Sequence, residues 1–194
     1  MIDYDILKLA ANQVHPEFLD KPFDVNDIKT FDLDDKSLIS GLNDFVERHP
    51  IEYHNYADNR IGTPPFLGKP LIDNNSDLEN KVPKCVISLI EFVKKQGYEF
   101  DKVARMHINA QTPGMYAGPH YDLKDHTKRK TVVYMSSNST GDLRFFDNIR
   151  ELNEIFRVKY KLGRIVVFPS QICHEALPPE SGFRTTLAFC FDTK

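Results

Sequence analysis

The sequence lacks several features that would assign it at once to a familiar class. Its three cysteines form no CxxC pair, so neither a disulfide framework nor a structural zinc site is expected. No apolar run approaches the roughly 20 residues of a membrane span, and the first residues lack the pattern of a signal peptide. The formal net charge is −3 and the basic residues are scattered, which argues against a nucleic-acid groove. We therefore expect a cytoplasmic protein with no membrane or nucleic-acid partner.

The length of 194 residues fits one domain with a sizeable core, and we find no internal repeat. Asp34 or Asp35 can cap a helix in which apolar residues recur at helical spacing until Pro50. A second helical pattern covers 83–96, and Gly97 follows its end. Between the two helices, the composition of 52–80 is rich in Asn, Asp, Gly and Pro. This composition predicts a long loop, which is either a lid or a disordered segment.

From residue 100 onward the pattern changes to short strands separated by turn signals. The predicted strands are 103–109, 131–137, 142–146, 156–160, 164–168 and 184–191. Helices followed by many short strands are typical of a β-sandwich or jelly roll supported by N-terminal helices. We therefore predict a mainly β fold, in which 1–99 forms the helical support and lid region and 100–194 forms the core that carries the site.

A candidate metal site begins at His120 and Asp122. Their side chains project from the same side of an extended segment, so both can reach one ion. The best candidate for a third ligand is His174, which follows the strand-like run 163–169. Two histidines and one carboxylate on one face of an octahedral ion leave three positions open, as in non-haem Fe(II) oxygenases.

The other histidines are weaker candidates for catalysis. His107 lies on a predicted strand, and His126 lies on a charged loop after Asp122. His15, His49 and His54 lie outside the strand-rich half and are expected at the surface.

Arg184 has a chemical reason to belong to the site, because a fixed guanidinium binds a carboxylate through two parallel hydrogen bonds. Thr186 lies on the same face of the predicted strand and can add a hydroxyl. Tyr134 lies in the middle of its strand. Its phenol can reach the same carboxylate if it faces inward, and otherwise Tyr134 is a core residue.

Four segments together resemble the Fe(II)/2-oxoglutarate-dependent dioxygenases, and most of all the prolyl 4-hydroxylase-like branch. They are 114–122, 140–146, 163–170 with His174 and Glu175, and 182–187, and the resemblance covers 103–191. It implies a double-stranded β-helix, a jelly-roll variant, that holds Fe(II) through His120, Asp122 and His174. The co-substrate 2-oxoglutarate would chelate the iron and pair its far carboxylate with Arg184. Reaction with O2 would then give succinate, CO2 and a hydroxylated substrate.

One position departs from this family. Members of the branch often have an aromatic residue three positions before the glycine that precedes the HxD motif, and this chain has Gln111 there. The amides of Asn109 and Gln111 can replace the hydrogen bond of that aromatic residue to the co-substrate. The departure weakens a prolyl substrate but not the iron chemistry.

The substrate is left open between a peptide side chain and a small metabolite. Candidate pocket or lid residues are Tyr53, Tyr56, Arg60, Phe66, Tyr116 and Lys124. Two alternatives to the hydroxylase are a cupin-like metal enzyme that does not use 2-oxoglutarate and a β-sandwich binding protein that has lost the chemistry. The oligomeric state cannot be inferred from the sequence.

Overall fold

Two antiparallel sheets dominate the computed structural model, which describes residues 24–54, 66–73, 81–116, 118–122, 128–149 and 151–193. The larger sheet contains, in spatial order, β1 (Lys29–Asp32), β8 (Arg164–Pro169), β5 (Arg129–Met135), β10 (Arg184–Asp192), β4 (Val103–Gln111), β3 (Phe66–Asp73) and β2 (Glu52–His54). The smaller sheet contains β7 (Glu154–Val158), β6 (Leu143–Phe146) and β9 (Cys173–Ala176).

Two helices precede the strand-rich half, as the sequence pattern predicts. Helix α1 (Lys36–Arg48) begins at Asp35, whose carboxylate accepts hydrogen bonds from two backbone N–H groups at 2.9 and 3.0 Å. Helix α2 (Lys84–Lys95) follows Pro83 and ends before Gly97, which has a φ of 93°. Neither of these helices in the described part of the chain is long and apolar enough to cross a membrane.

The outer face of the larger sheet packs against both helices. Their buried residues, such as Leu42 of α1 and Leu89 of α2, form one apolar cluster with residues of β4, β5, β8 and β10. Burial of this apolar surface is the main stabilising contribution that the helices make to the sheet. The helices therefore support the strands from the side that faces away from the smaller sheet.

The inner face of the larger sheet packs against the smaller sheet. Val133 and Phe168 from the larger sheet share a buried cluster with Leu143 and Phe145 from the smaller one. The rings of Phe145 and Phe168 meet edge to face, with centroids 5.0 Å apart. This arrangement of two facing sheets with helices on one side confirms the predicted mainly β fold with N-terminal helices.

The predicted loop over 52–80 is wrong where the structure describes it. Residues 52–54 and 66–73 are strands, and β3 extends the larger sheet beyond β4. Gly68 and Pro70 made β3 resemble a loop in sequence, because both residues are uncommon in strands. The ladder between β3 and β4 shifts register between Pro70 and Ile72, which accommodates a proline without a backbone N–H. Residues 55–65 and 74–80 lie outside the described part of the chain.

Candidate active site

Backbone pairing brings His120 and His174 together. His174 lies on β9, and the segment that carries His120 forms a single antiparallel bridge to it. The N–H of His120 donates to the carbonyl of His174 at 2.9 Å, and the N–H of His174 donates to the carbonyl of His120 at 3.0 Å. The two imidazole rings consequently lie side by side, with centroids 4.5 Å apart.

The local hydrogen bonds of the two rings fix which nitrogen is available to a metal. Nδ1 of His120 lies 2.8 Å from the carbonyl of Gly118, and Nδ1 of His174 lies 3.0 Å from the carbonyl of Ile172. A carbonyl only accepts hydrogen bonds, so Nδ1 carries the proton in each neutral ring and Nε2 keeps its lone pair. Both Nε2 atoms face Asp122, at 3.9 Å from Oδ1 for His120 and 3.7 Å from Oδ2 for His174.

The Asp122 carboxylate is held on both oxygens. Nη2 of Arg105 donates to Oδ1 at 3.1 Å, and the hydroxyl of Thr131 donates to Oδ2 at 2.6 Å. Burial alone would raise the pKa of Asp122, but the neighbouring His174, Arg105, His120 and the Thr131 hydroxyl together lower it below its ordinary value. The group is therefore an anion at neutral pH, ready to bind a cation.

This donor set fits a divalent metal ion. One ligand atom from each of His120, Asp122 and His174 lies within 4.8 Å of the others. Among the described residues, these three form the only such cluster of potential metal ligands. Two unprotonated imidazole nitrogens and one carboxylate, each oriented by a second hydrogen bond, are the features of a transition-metal site with positions left open. The three residues that the sequence analysis selected as ligands are thus brought together.

Arg184 is the other predicted residue with a distinctive environment. It is 2% exposed, its Nε donates to the carbonyl of Gly141 at 2.8 Å, and its Nη1 donates to Oε1 of Gln111 at 3.1 Å. Its guanidinium lies over the ring of Tyr160, 4.9 Å from the centroid. Nη2 is also buried and has no hydrogen-bond partner among the described residues. Because a buried cationic donor without an acceptor is costly, this atom indicates a place for an anion.

Burial also affects the ionisation of Arg184. It lowers the pKa of the guanidinium to about 10, while Tyr160 and Asp142 partly oppose the shift. The side chain therefore remains a cation at neutral pH. A carboxylate of 2-oxoglutarate would supply both the negative charge and the acceptors that Nη2 lacks.

Gly141 gives Arg184 the room that it needs. Its φ is +100°, a conformation that favours glycine. A Cβ at this position would clash with the carbonyl oxygen of Leu177 and would lie 2.8 Å from Cδ of Arg184. A side chain there would push the guanidinium out of place.

Thr186, Asn109 and Gln111 share the inner face of the sheet with Arg184. In the register of β10 against β4, Arg184 lies opposite Gln111 and Thr186 lies opposite Asn109. Thr186 is buried and Asn109 is half-buried. The structure thus brings these four predicted residues together, although Gln111 already binds Arg184.

Tyr134 is an incorrect assignment, because its phenol does not face inward. It pairs with Leu187 of β10, and alternation along the strand places both on the face opposite to Arg184. Tyr134 belongs to the cluster packed against the helices, and its hydroxyl forms a hydrogen bond to the Asn43 amide of α1 at 3.0 Å. The tyrosine that does contact Arg184 is Tyr160, whose hydroxyl donates to the carbonyl of Thr185.

His107 lies near the metal ligands without being one of them. It shares the inner face of β4 with Asn109. Burial, and to a smaller extent the nearby charge of Arg105, lower the pKa of His107 to about 3, so the imidazole is neutral at neutral pH. His107 is therefore a neutral polar group beside the site.

Arg105 and Thr131 are the site residues that the sequence analysis missed. Cys190 of β10 lies between them, opposite Arg105 on one side and Thr131 on the other. A sequence signal exists for Arg105, because polar residues alternate with apolar ones along β4 from Arg105 to Gln111. That alternation marks a face that is not part of the apolar core.

Several candidates fall outside the described residues. They are His15, Tyr56, Arg60, Lys124 and His126, together with the side chains of Tyr53, His54 and Phe66. Tyr116 is described and half-buried, six residues before Asp122.

Comparison with known proteins agrees with this geometry. Residues 103–192 match the sequence model of the 2OG-Fe(II) oxygenase superfamily. This part of the chain belongs to that superfamily. A search of curated proteins finds no match. Because of the superfamily match and the His–Asp–His cluster, the protein is an Fe(II)- and 2-oxoglutarate-dependent dioxygenase that uses O2, as the resemblance in the sequence implied.

Solved structures of this superfamily share the fold. A prolyl-4-hydroxylase from Pseudomonas putida is 17% identical, with a TM-score of 0.61 over 87% of this chain and 93% of that one. A prolyl hydroxylase from Trichoplax adhaerens, solved with a hypoxia inducible factor peptide, is 14% identical, with a TM-score of 0.62 over 97% and 91%. A 2-oxoglutarate-dependent carbocyclase from nogalamycin biosynthesis is 11% identical, with a TM-score of 0.62 over 94% and 85%. The jelly-roll prediction is confirmed.

Proposed function

We propose that this dioxygenase hydroxylates a carbon of a peptide side chain or of a small metabolite. The observation that carries the proposal is a His–Asp–His cluster beside the inner face of the larger sheet, together with a buried guanidinium on that face whose Nη2 lacks a partner among the described residues. The cluster fits Fe(II), and the guanidinium fits the far carboxylate of 2-oxoglutarate.

His120, Asp122 and His174 would hold the metal. Bound Fe(II) and 2-oxoglutarate would supply the oxidative chemistry: the co-substrate would become succinate and CO2, and a C–H bond of the substrate would become C–OH, with one oxygen atom of O2 entering succinate and the other entering the new hydroxyl group. Nδ1–H of each histidine donates a hydrogen bond to a backbone carbonyl. These bonds hold the rings in place, so they do not rotate when Nε2 binds the ion. Arg105 and Thr131 keep the Asp122 carboxylate oriented in the same way.

Arg184 would anchor the co-substrate at its far end. Burial between the two sheets excludes water from the guanidinium, which strengthens its attraction for a carboxylate. Thr186 and Asn109 lie one residue pair closer to the metal ligands along β10 and β4, where they would bind the middle of the co-substrate. The site thus orders the co-substrate along the strand direction.

The substrate would lie near the one position that the three ligands and the co-substrate leave open for O2. The fold is shared with peptide-binding prolyl hydroxylases and with a carbocyclase, so both substrate classes remain in the proposal. Tyr116 is a candidate to contact the substrate. We also propose a single domain and a cytoplasmic location. The three cysteines form no disulfide with one another, which favours a reducing compartment.

Formation of succinate from 2-oxoglutarate tests the proposal. Wild-type protein with Fe(II) and O2 is incubated with a panel of peptides and a panel of metabolites, and succinate and hydroxylated product are measured together by mass spectrometry. We expect equal amounts of the two from one class of substrate. His174→Ala should form neither, while Tyr134→Phe, on the opposite face, should form both.

Two results would contradict the proposal. Succinate formation by His174→Ala at the wild-type rate would remove His174 from the ligand set. A wild-type protein that binds Fe(II) but never consumes 2-oxoglutarate would favour the cupin-like alternative.

A further inference from the structure

Gln111 lies at the end of β4, directly opposite Arg184 in the ladder between β4 and β10. It is 3% exposed, so its amide cannot exchange hydrogen bonds with bulk water. A buried amide must therefore satisfy its donors and acceptor within the protein. Its three hydrogen bonds decide what this residue can do.

The orientation of the Gln111 amide is fully determined. Its Nε2 donates to the carbonyl of Met115 at 3.1 Å and to the carbonyl of Ala176 at 3.2 Å. Both N–H donors are thus used, and Oε1 is left to accept from Nη1 of Arg184 at 3.1 Å. The reversed amide would place its NH2 against the guanidinium and its oxygen against two carbonyls, which leaves every group without a partner.

The two carbonyls that fix the amide come from the segments that carry the metal ligands. Met115 lies in the turn that leads to His120, and Ala176 lies on β9 two residues after His174. These segments are themselves joined by the paired backbone hydrogen bonds between His120 and His174. Gln111 is therefore held by the segments that carry the metal ligands, and its Oε1 in turn holds Nη1 of Arg184.

We infer that Gln111 is a positioning residue that sets the rotation of the Arg184 guanidinium and does not itself bind the co-substrate. Nε of Arg184 is bound to Gly141, and Nη1 is bound to Gln111, so the plane of the guanidinium is fixed at two points. Nη2, which is buried and has no partner among the described residues, is then the atom left to bind the co-substrate. The inference rests on the proposed binding of 2-oxoglutarate by Arg184, and it replaces the expectation that the Gln111 amide contacts the co-substrate, because no N–H remains for it.

Two substitutions of Gln111 separate its possible roles. Gln111→Met keeps the length of the side chain and removes all three hydrogen bonds. Gln111→Glu keeps the shape, loses both N–H donors and places a carboxylate against Arg184, where it competes with the co-substrate. Gln96→Met is the matched control, because Gln96 is exposed after the end of α2. Arg184→Met tests the anchor itself.

Calorimetric titration of each Mn(II)-loaded variant with 2-oxoglutarate measures the effect. We expect Gln111→Met to weaken 2-oxoglutarate binding about tenfold, since one hydrogen bond to a charged group is lost. Gln111→Glu should weaken it at least as much, and Gln96→Met should leave it unchanged. Mn(II) affinity should stay within about threefold of wild type in all of them, because none of these residues contacts a ligand atom.

Enzyme kinetics provide a readout that a merely structural role would not give. If Gln111 acts through Arg184, Gln111→Met raises the KM for 2-oxoglutarate and regains most of the wild-type kcat at saturating co-substrate. A general loosening of the site would lower kcat and Mn(II) affinity together. Should Gln111→Met fail to fold, wild-type affinity for 2-oxoglutarate in the isosteric Gln111→Glu would overturn the positioning role, because this variant loses both N–H donors that orient the amide.

The possible failures are distinguishable. If Arg184→Met binds 2-oxoglutarate as wild type does, the proposed anchor is wrong, whatever Gln111 does. If Arg184→Met loses binding while both Gln111 variants retain wild-type affinity, the positioning role of Gln111 is overturned and the anchor stands.

Discussion

The two faces of the larger sheet differ in chemistry although the same strands supply both. On β10, alternate residues point toward the helices or toward the metal ligands. The helix-facing residues are Leu187, Phe189 and Phe191, and the inward-facing residues are Arg184, Thr186, Ala188 and Cys190. On β10, one face belongs to the apolar core that packs against the helices, and the other carries a charged group and a hydroxyl group close to the candidate site.

β4 repeats the same division. Met106 and Ile108 lie in the helix-packed cluster, whereas Arg105, His107 and Asn109 lie on the inner face. On these two strands, stability and function depend on opposite faces, because strand geometry alternates the side chains between them. Substitutions on the two faces should therefore have effects of different kinds.

The largest effect on stability is expected on the helix-facing side. Phe189→Ala should lower the free energy of unfolding by about 3–5 kcal/mol, because it removes a fully buried ring and leaves a cavity. Urea denaturation of the metal-free protein measures this. Thr186→Val, on the inner face of the same strand, should cost about 1 kcal/mol or less. Equal losses of stability in the two variants would contradict the different roles of the two faces.

The inner face should make stability depend on pH through His107. Its folded pKa of about 3 lies below the ordinary value of 6.5, so the unfolded chain binds the proton first as pH falls. The contribution of neutral His107 to the free energy of unfolding is fully present above about pH 6.5. It decreases by about 2 kcal/mol between pH 7 and pH 5. His107→Gln should flatten that slope in denaturation curves of the metal-free protein. An unchanged slope would mean that other groups cause it.

A smaller effect is expected when one hydrogen bond to Asp122 is removed. Thr131→Val is nearly isosteric and deletes the hydroxyl that holds Oδ2. We expect Mn(II) affinity to decrease about tenfold, the lower end of the usual effect of residues that orient metal ligands. Thr30→Val on the exposed strand β1 is the control. Wild-type affinity in Thr131→Val would show that Arg105 alone orients the carboxylate.

The smallest effect is expected at the edge of the sheet, away from both faces. Asp32 on β1 pairs with Arg164 and Lys161, and the hydrogen bond from Arg164 is the main cause that lowers its pKa to about 2. Asp32→Asn should cost less than about 1 kcal/mol at pH 7, since exposed ion pairs contribute little. The contribution is present above about pH 3.8, the ordinary pKa of the carboxyl, and is lost as pH falls toward 2. A loss of several kcal/mol in thermal unfolding at pH 7 would show that this edge is structurally essential.

Local patterns allowed much of the fold and site to be predicted. The cap at Asp35 and the apolar period of α1 are encoded within a few residues, and both appear in the structure. His120 and Asp122 are two residues apart, so strand alternation alone brings them together. His174 and Arg184 could be found because their segments resemble those of a known family in order and spacing.

The features that were missed depend on long-range register. The sequence of 131–137 does not indicate which side of β5 faces the metal ligands. The face on which Tyr134 lies follows only from its pairing with Leu187. Arg105 reaches Asp122 because the pairing of β4 with β10 sets its place in the sheet. β3 was missed because it is stabilised by its pairing with β4 and not by the propensity of its own residues.

The most direct test of the account is an anaerobic titration of Fe(II)-loaded protein with 2-oxoglutarate, followed through the weak visible charge-transfer band that the resemblance implies for the chelate. We expect the band in wild-type protein, at a much higher co-substrate concentration in Arg184→Met, and not at all in His174→Ala. Iron binding without a band in the wild type would contradict the assignment of the inner face to Fe(II) and 2-oxoglutarate.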